Sequence, residues 1–506
     1  MSSNSPTDPP PRPLSPATAS RGRILLTRFA FGGAALLTLI VGFYLVVSSG
    51  GNAAWKTYRE EAHARGVKLT LADCVPPPVP DERNFAAVPL FQDAFQTPPP
   101  PDPVALPEKG SLKVPALDTP SRNTPIDLAA WQKFFVAAKF ISAPGEKPAA
   151  DVLTALEHYA PQFAQLRTAG VRPECRFPVR YEDGVAARLP HLQLLREAGR
   201  LYTLRLAAHL ALGDSAAGYE DFQAGLRLYA ALENEPTLVS GLVRLAILNT
   251  LENAVWGGLV RHQWTSEDLA RITADLTAVR LMDDYAISLT GERGFHNMVY
   301  DQLMHKSPGE IADLVGQNNG HEYPEHRPLQ ALFSVYPSGW FRLSQTRTNR
   351  YIDEMLARVG EQPPRIFPDR SVPSLPASGA KTGAWENLRY RLFFLSAPAV
   401  GEVERSFAFS QTFLDETRLG CSLERHRIAH GNFPASLEAL APTYLPALPV
   451  DVMTGAPLQY RAEPTGGYTL YSVGSNLQDD GGKFVANDSA KKQSDWVWLM
   501  PPPAQP

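Results

Sequence analysis

Residues 192–229 read LQLLREAGRLYTLRLAAHLALGDSAAGYEDFQAGLRLY. Leu192, Leu195, Leu201, Leu204, Ala208 and Leu212 fall on one face at helical spacing, the mark of an amphipathic helix. Gly213-Asp214 breaks that stripe, because glycine suits a helix C-cap and aspartate an N-cap. Tyr219, Phe222, Leu226 and Tyr229 then open the stripe of a second helix. The same period recurs over Glu267 to Leu281, over about 285–305 and over about 385–430, so the fold class expected is mainly α. From about 306 to 380 the pattern weakens among Gly- and Pro-rich segments.

Toward the N-terminus the chemistry changes. Phe29 to Val47, FAFGGAALLTLIVGFYLVV, is 19 residues without a charge, and a helix of that length nearly matches the roughly 30 Å hydrocarbon core of a bilayer. A cleaved signal peptide and a buried core helix are the alternatives. The apolar run is long for the first, and Val46-Val47-Ser48-Ser49-Gly50 is a poor cleavage site. A retained transmembrane helix is the expectation. Arg12, Arg21, Arg23 and Arg28 precede it, whereas Lys56 and Arg59 beyond it are matched by Glu60 and Glu61. By the positive-inside bias the N-terminus is cytoplasmic and residues 50–506 are extracytoplasmic; the expected location is a bacterial inner membrane, with a single pass.

The 48 Lys and Arg against 52 Asp and Glu leave a net charge of −4, which argues against a nucleic-acid partner. Proline, 47 of 506 residues, is about twice its usual share and marks boundaries, since it removes a backbone donor and breaks helices. The expected organisation is a disordered cytoplasmic tail (1–22), a transmembrane helix (23–48), a Pro-rich linker or docked segment (49–150), a helical domain (151–400), a small α+β module (401–486) and a polar, Pro-rich tail (487–506). Apolar Phe85, Val88, Leu90, Phe91 and Phe95 between the prolines favour docking over a free spacer. Cys74, Cys175 and Cys421 show no metal-type spacing and allow at most one disulfide, in three possible pairings.

Two stretches resemble known families. Residues 210–228, LALGDSAAGYEDFQAGLRL, resemble one helix–turn–helix of a tetratricopeptide repeat, with small Gly218 and Gly225 and with Phe222 where such helices approach closely. No 34-residue recurrence accompanies it, so a generic helical bundle or irregular helical array stands beside a true repeat protein. Residues 422–484 carry Gly431-Asn432-Phe433-Pro434, a short helix from Leu437 to Leu440, the Tyr444 to Asp451 run with its Leu-Pro steps, Gly455 to Tyr460, and Tyr471 to Gly474. In that order these pieces resemble the C-terminal domain of the major pseudopilin of type II secretion systems. The resemblance implies a helix laid over a small sheet, with Tyr460, Tyr468 and Leu470 on the covered face. It also implies a calcium-binding loop, whose matching residues are Ser475, Asn476, Asp479 and Asp480, with Asp488 a later candidate. Clustered oxygens suit calcium, while a solvent-exposed Asp-Asp-Gly-Gly turn needs no metal. The prepilin cleavage site with its glutamate is absent from Gly22 to Thr27, so a fused accessory module is the reading, not a fibre subunit.

Catalytic patterns are sparse. His321 and His326 lie five apart around Pro324, which breaks the i, i+4 geometry a zinc-protease helix needs. Lys381-Thr382-Gly383 would need a Ser-x-x-Lys before it, and the notable one (Ser489 to Lys492) follows instead. Glu292 with His296, and Asp301 with His305, have i, i+4 spacing and suit ion pairs as well as a site. Arg293 and Glu292, within Gly291-Glu292-Arg293-Gly294, suit a helix-packing ion pair. No catalytic residue is assigned and a non-enzymatic role is favoured. The protein is expected to be an extracytoplasmic interaction or scaffold protein, with the membrane and other proteins as partners, accessory to a secretion or envelope assembly. An anchored envelope hydrolase built on Glu292, His296, Asp301 and His305 is the alternative.

Overall fold

The computed structural model describes residues 16–106, 115, 123–311, 327–360, 365–366, 383–485 and 494–502. The tail before Pro16, the His321–His326 pattern, Lys381-Thr382, Asp488 and Ser489 to Lys492 lie outside them. The chain is mainly helical, with one small three-stranded sheet near the C-terminus. It divides into two compact units: an anchor unit of Met1–Tyr58 with Lys306–Leu343, and a body of Arg59–His305 with Ser344–Pro506.

In the anchor unit the N-terminal helix starts at Pro16, inside the expected tail, and runs to Ala64, well past the expected end at residue 48. Proline is tolerated in a helix's first turn, which accounts for the start. After Val47 the sequence still offers helix formers, Ala53-Ala54 and Glu60-Glu61-Ala62. Gly50-Gly51 is no stop, for Gly51 serves contact: a Cβ there would overlap the backbone of Gly339. Gly66, at φ +69°, ends the helix in the left-handed conformation glycine adopts readily. Against the far end of the apolar stretch pack Val335, just past the helix Arg327–Ser334, and the first turn of Ser338–Val359.

The body is a layered array of helices. Pro190–Ala211 and Ser215–Ala230 form the hairpin read from the sequence, with Gly213 at φ +84° and the Asp214 carboxylate accepting from Ala217 N at 3.0 Å. Both pack on Leu238–Val260. Leu251 presses so closely on Gly225 that a Cβ there would lie 2.6 Å from its Cδ2. The Pro-rich stretch is partly interior, with Phe85 and Phe91 fully buried and Phe91 meeting Phe177 edge-on at 5.2 Å.

The terminal helix Arg391–His430 crosses the boundary expected at 400/401. It packs on Leu238–Val260 and Ser266–Thr277 as well as on the sheet. The sheet is antiparallel in the order β1 (Gln459–Ala462), β2 (Tyr468–Ser472), β3 (Trp496–Met500). Phe409 and Phe413 of the helix meet Trp496 and Trp498 edge-on at 5.3 and 5.6 Å. β3 corrects the expectation of a polar tail over 487–506. Trp496-Val497-Trp498-Leu499-Met500 is a short aromatic run buried on both faces, so it lacks the alternation of a half-exposed strand. Its outer edge is satisfied by Asn123, which donates to Val497 O at 3.0 Å and accepts from Leu499 N at 2.8 Å.

Candidate functional site

The loop after β2 was singled out for calcium. β2 ends at Ser472, whose hydroxyl donates to Asp451 at 2.8 Å, and the other Asp451 oxygen accepts from Met453 N at 2.8 Å. Asp451 thereby ties the turn before β1 to the end of β2, and burial pushes its carboxyl up. Gly474, at φ +65°, turns the chain where a Cβ would lie 2.5 Å from Ser494 O. Ser475 is buried, Asn476 half-buried, and Asp479 and Asp480 exposed.

The residue that organises this loop is Asp495, which the sequence reading did not single out. Its side chain is almost fully buried, and it accepts from Asp480 N at 3.1 Å and from Gly482 N at 2.7 Å. Burial pushes its carboxyl up against those backbone donors, and the Asp480 and Asp479 charges add to the rise. Asp479 in turn accepts from Gly481 N at 2.8 Å and from the Tyr471 hydroxyl at 3.1 Å. Asn476 accepts from Gln478 N on its oxygen and donates its amide to Asp480 at 3.2 Å.

This arrangement does not fit a calcium cage. The ion takes six to eight oxygens turned on one centre, whereas these carboxylates face the loop's own N–H groups and Asn476 presents a donor. Among the described residues no three His, Cys, Asp or Glu side chains converge to hold a metal. A melting curve of the full chain is therefore expected to be the same in chelator and in millimolar calcium. A calcium-dependent rise of several degrees would show that Asp479, Asp480 and Asp495 do take the cation. Asp495→Asn, which puts an NH2 among donors, should lower stability by about 1–3 kcal/mol in either solution.

The four groups of the hydrolase alternative do not gather. His296 Nδ1 lies 3.2 Å from Glu292 Oε1, a half-buried pair within one helix, while Asp301 and His305 are exposed. Arg293 is not Glu292's partner: it is buried and reaches Asp353 at 2.6 Å, which also takes Arg65 at 2.8 Å. The three cysteines are free thiols, Cys421 buried and the others half-buried. Burial pushes the Cys421 thiol up to about 12 and raises Cys74 and Cys175 as well; such thiols are poor nucleophiles.

Clefts open on the body, two of them lined by described residues. One, of about 340 Å3, lies between Pro125 to Leu128 and the helix Leu238–Val260, with Asn253 and Arg261 at its polar side. The other, of about 330 Å3, is walled by Pro99, Pro100, Pro101 and Pro103 opposite Pro190 and Leu194. Gln162, Gln165 and Gln193 are its uncharged polar groups and Asp93 and Asp102 its acids. The sequence signal for this cleft is the Pro98 to Pro101 run, part of the 49–150 stretch expected to be a Pro-rich linker or docked segment. The chain matches no protein-family model, no curated protein and no solved structure.

Proposed function

We propose that this chain is a single-pass protein of a bacterial inner membrane, with its N-terminus cytoplasmic. Its extracytoplasmic, mostly helical body would act in protein interaction, as a scaffold or accessory of a secretion or envelope assembly. The observation that carries the reading is the helix Leu25–Ala64, long and apolar enough to cross a bilayer, with none of its most apolar window buried by the protein. Among the described residues a second helix, Leu238–Val260, is also long and apolar enough, but 72% of such a window is buried, as expected of a core helix. The arginines before the span support the orientation.

An interaction role is supported by the Pro-walled cleft, whose lining offers apolar surface, amides and the Asp93 and Asp102 carboxylates, with no basic side chain among them. The pseudopilin likeness of the C-terminal module is supported by its form: a long helix capped by Gly431 at φ +81°, lying over antiparallel strands. The test is photo-crosslinking in intact membranes from Pro100 and from Gln193, both exposed, with Val171, 84% exposed, as reference. A discrete adduct from 100 and 193 that is missing from 171 supports the reading. No adduct, or the same diffuse adducts from all three, removes its basis.

A further inference from the structure

The anchor helix is accompanied by a segment almost three hundred residues away in sequence. Gln330 to Phe341, QALFSVYPSGWF, is uncharged and bracketed by Arg327 and Arg342. It forms the end of one helix, Arg327–Ser334, a tip at Val335-Tyr336-Pro337, and the start of the next helix at Ser338. Contacts set its height along the anchor. Tyr44 donates its hydroxyl to Val335 O, Ser48 Oγ lies 3.0 Å from Ser338 Oγ, and Gly339 sits on the backbone of Val47 and Ser48, where a Cβ would overlap it. Above them the Arg342 guanidinium stands 6.0 Å over the Trp55 ring. Tip and anchor therefore rise together, and the tip is the lowest point so tied.

That point falls within the apolar run. Tyr44 is three residues before its end at Val47, about 4.5 Å at 1.5 Å per residue. Val335 is held at this level with 62% of its surface exposed. Phe333, Tyr336, Trp340 and Phe341 are buried and pack on one another: Tyr336 meets Trp340 at 5.0 Å and Phe341 at 5.1 Å, and Trp340 meets Phe43 at 6.2 Å. An exposed valine at the level of the apolar run, backed by rings that are themselves buried and with Arg342 the first charge after it, suits a membrane–water interface.

Resting on the anchor reading above, we propose that residues 330–341 are a second membrane contact, an interfacial hairpin whose tip enters the acyl–headgroup boundary of the outer leaflet beside the span. Its occupant is lipid, because the helix that the tip contacts at Tyr44 carries the bilayer-spanning surface.

The test uses the full chain in phosphatidylcholine–phosphatidylglycerol nanodiscs, with a nitroxide on Val335→Cys or on Leu37→Cys. The wild-type chain labelled in parallel supplies the background from its own thiols. At 335, as at 37, collision with oxygen is expected to exceed collision with an aqueous nickel complex several-fold. A label at 37 in lipid with 335 in water overturns the hairpin and leaves the anchor standing. A label at 335 shielded from both reagents means that protein, such as a second copy, covers the tip, and also overturns it. A label at 37 in water removes the anchor reading itself, and the hairpin with it.

Discussion

Arg244→Met is expected to destabilise the body by about 3–5 kcal/mol, the usual consequence of stranding one partner of a buried ion pair. Arg244 and Asp284 are both about 5% exposed, and Nη2 lies 2.7 Å from Oδ2. The Tyr229 hydroxyl donates to the same carboxylate, and the guanidinium stacks 4.2 Å over the Tyr229 ring. Burial pushes the Asp284 carboxyl up, against the pull of Arg244 and the Tyr229 hydrogen bond. Without Arg244 the carboxyl rises further and holds a proton in the folded state that the unfolded state releases. Such a group contributes most stability at low pH and loses it as pH rises through the folded value. The deficit relative to wild type should therefore be smaller at pH 5 than at pH 8 in urea unfolding. Arg244→Met with Asp284→Asn should recover part of it. A single-variant loss under about 1 kcal/mol, or one indifferent to pH, would show that the pair is not coupled as described.

Gly291→Ala is expected to be the second severe change, although alanine is ordinarily the better helix former by up to about 1 kcal/mol. Gly291 lies mid-helix in Leu281–Leu303, and a Cβ there would overlap the carbonyl of Pro236. That neighbour is backbone, without a rotamer to swing aside, so the helix must shift, at a cost of about 1–3 kcal/mol or more. Three residues on, Gly294 meets the backbone of Thr70 and Leu71 in the same way, and buried Arg293 lies between the two. The contrast is Gly257→Ala within Leu238–Val260, where the nearest atom, 3.7 Å from a Cβ, is the tip of the Arg261 side chain. Thermal unfolding should show opposite signs, a lower Tm for the first and a slightly higher one for the second. A neutral Gly291→Ala would mean that the crossing is looser than described.

The helices that could be read were those whose buried face is apolar. The hairpin of 190–230 is one, with Leu195, Leu204 and Phe222 fully buried. Ser338–Val359 was not legible. Its burial also follows a helical period, but five of its twelve buried residues are the polar Ser344, Gln345, Thr346, Thr348 and Asn349. Gln345, Thr348 and Asn349 are interior because the facing helix satisfies them. Asn349 donates to Asn297 Oδ1 at 2.6 Å, Thr348 shares a hydrogen bond with Tyr300 at 2.9 Å, and Asn297 donates to Leu69 O at 2.9 Å. A pattern search sees polar residues there, and only the partners reveal a core. β3 escaped for the opposite reason, being too uniformly apolar to show a strand's period.

The sequence alone determined what depends on local composition. It marked an uncharged stretch long enough to span a bilayer, a helical fold class, and the Gly213 and Gly431 breaks, because hydropathy, period and backbone freedom are properties of neighbouring residues. Only the tertiary structure decided which groups meet across long separations. It gave Asp353 rather than Glu292 to Arg293, brought Asp495 under the Asp479–Asp480 loop, and set Val335 beside Tyr44. These pairings are fixed by burial, which makes an unsatisfied charge or N–H costly and so selects partners that no local pattern records.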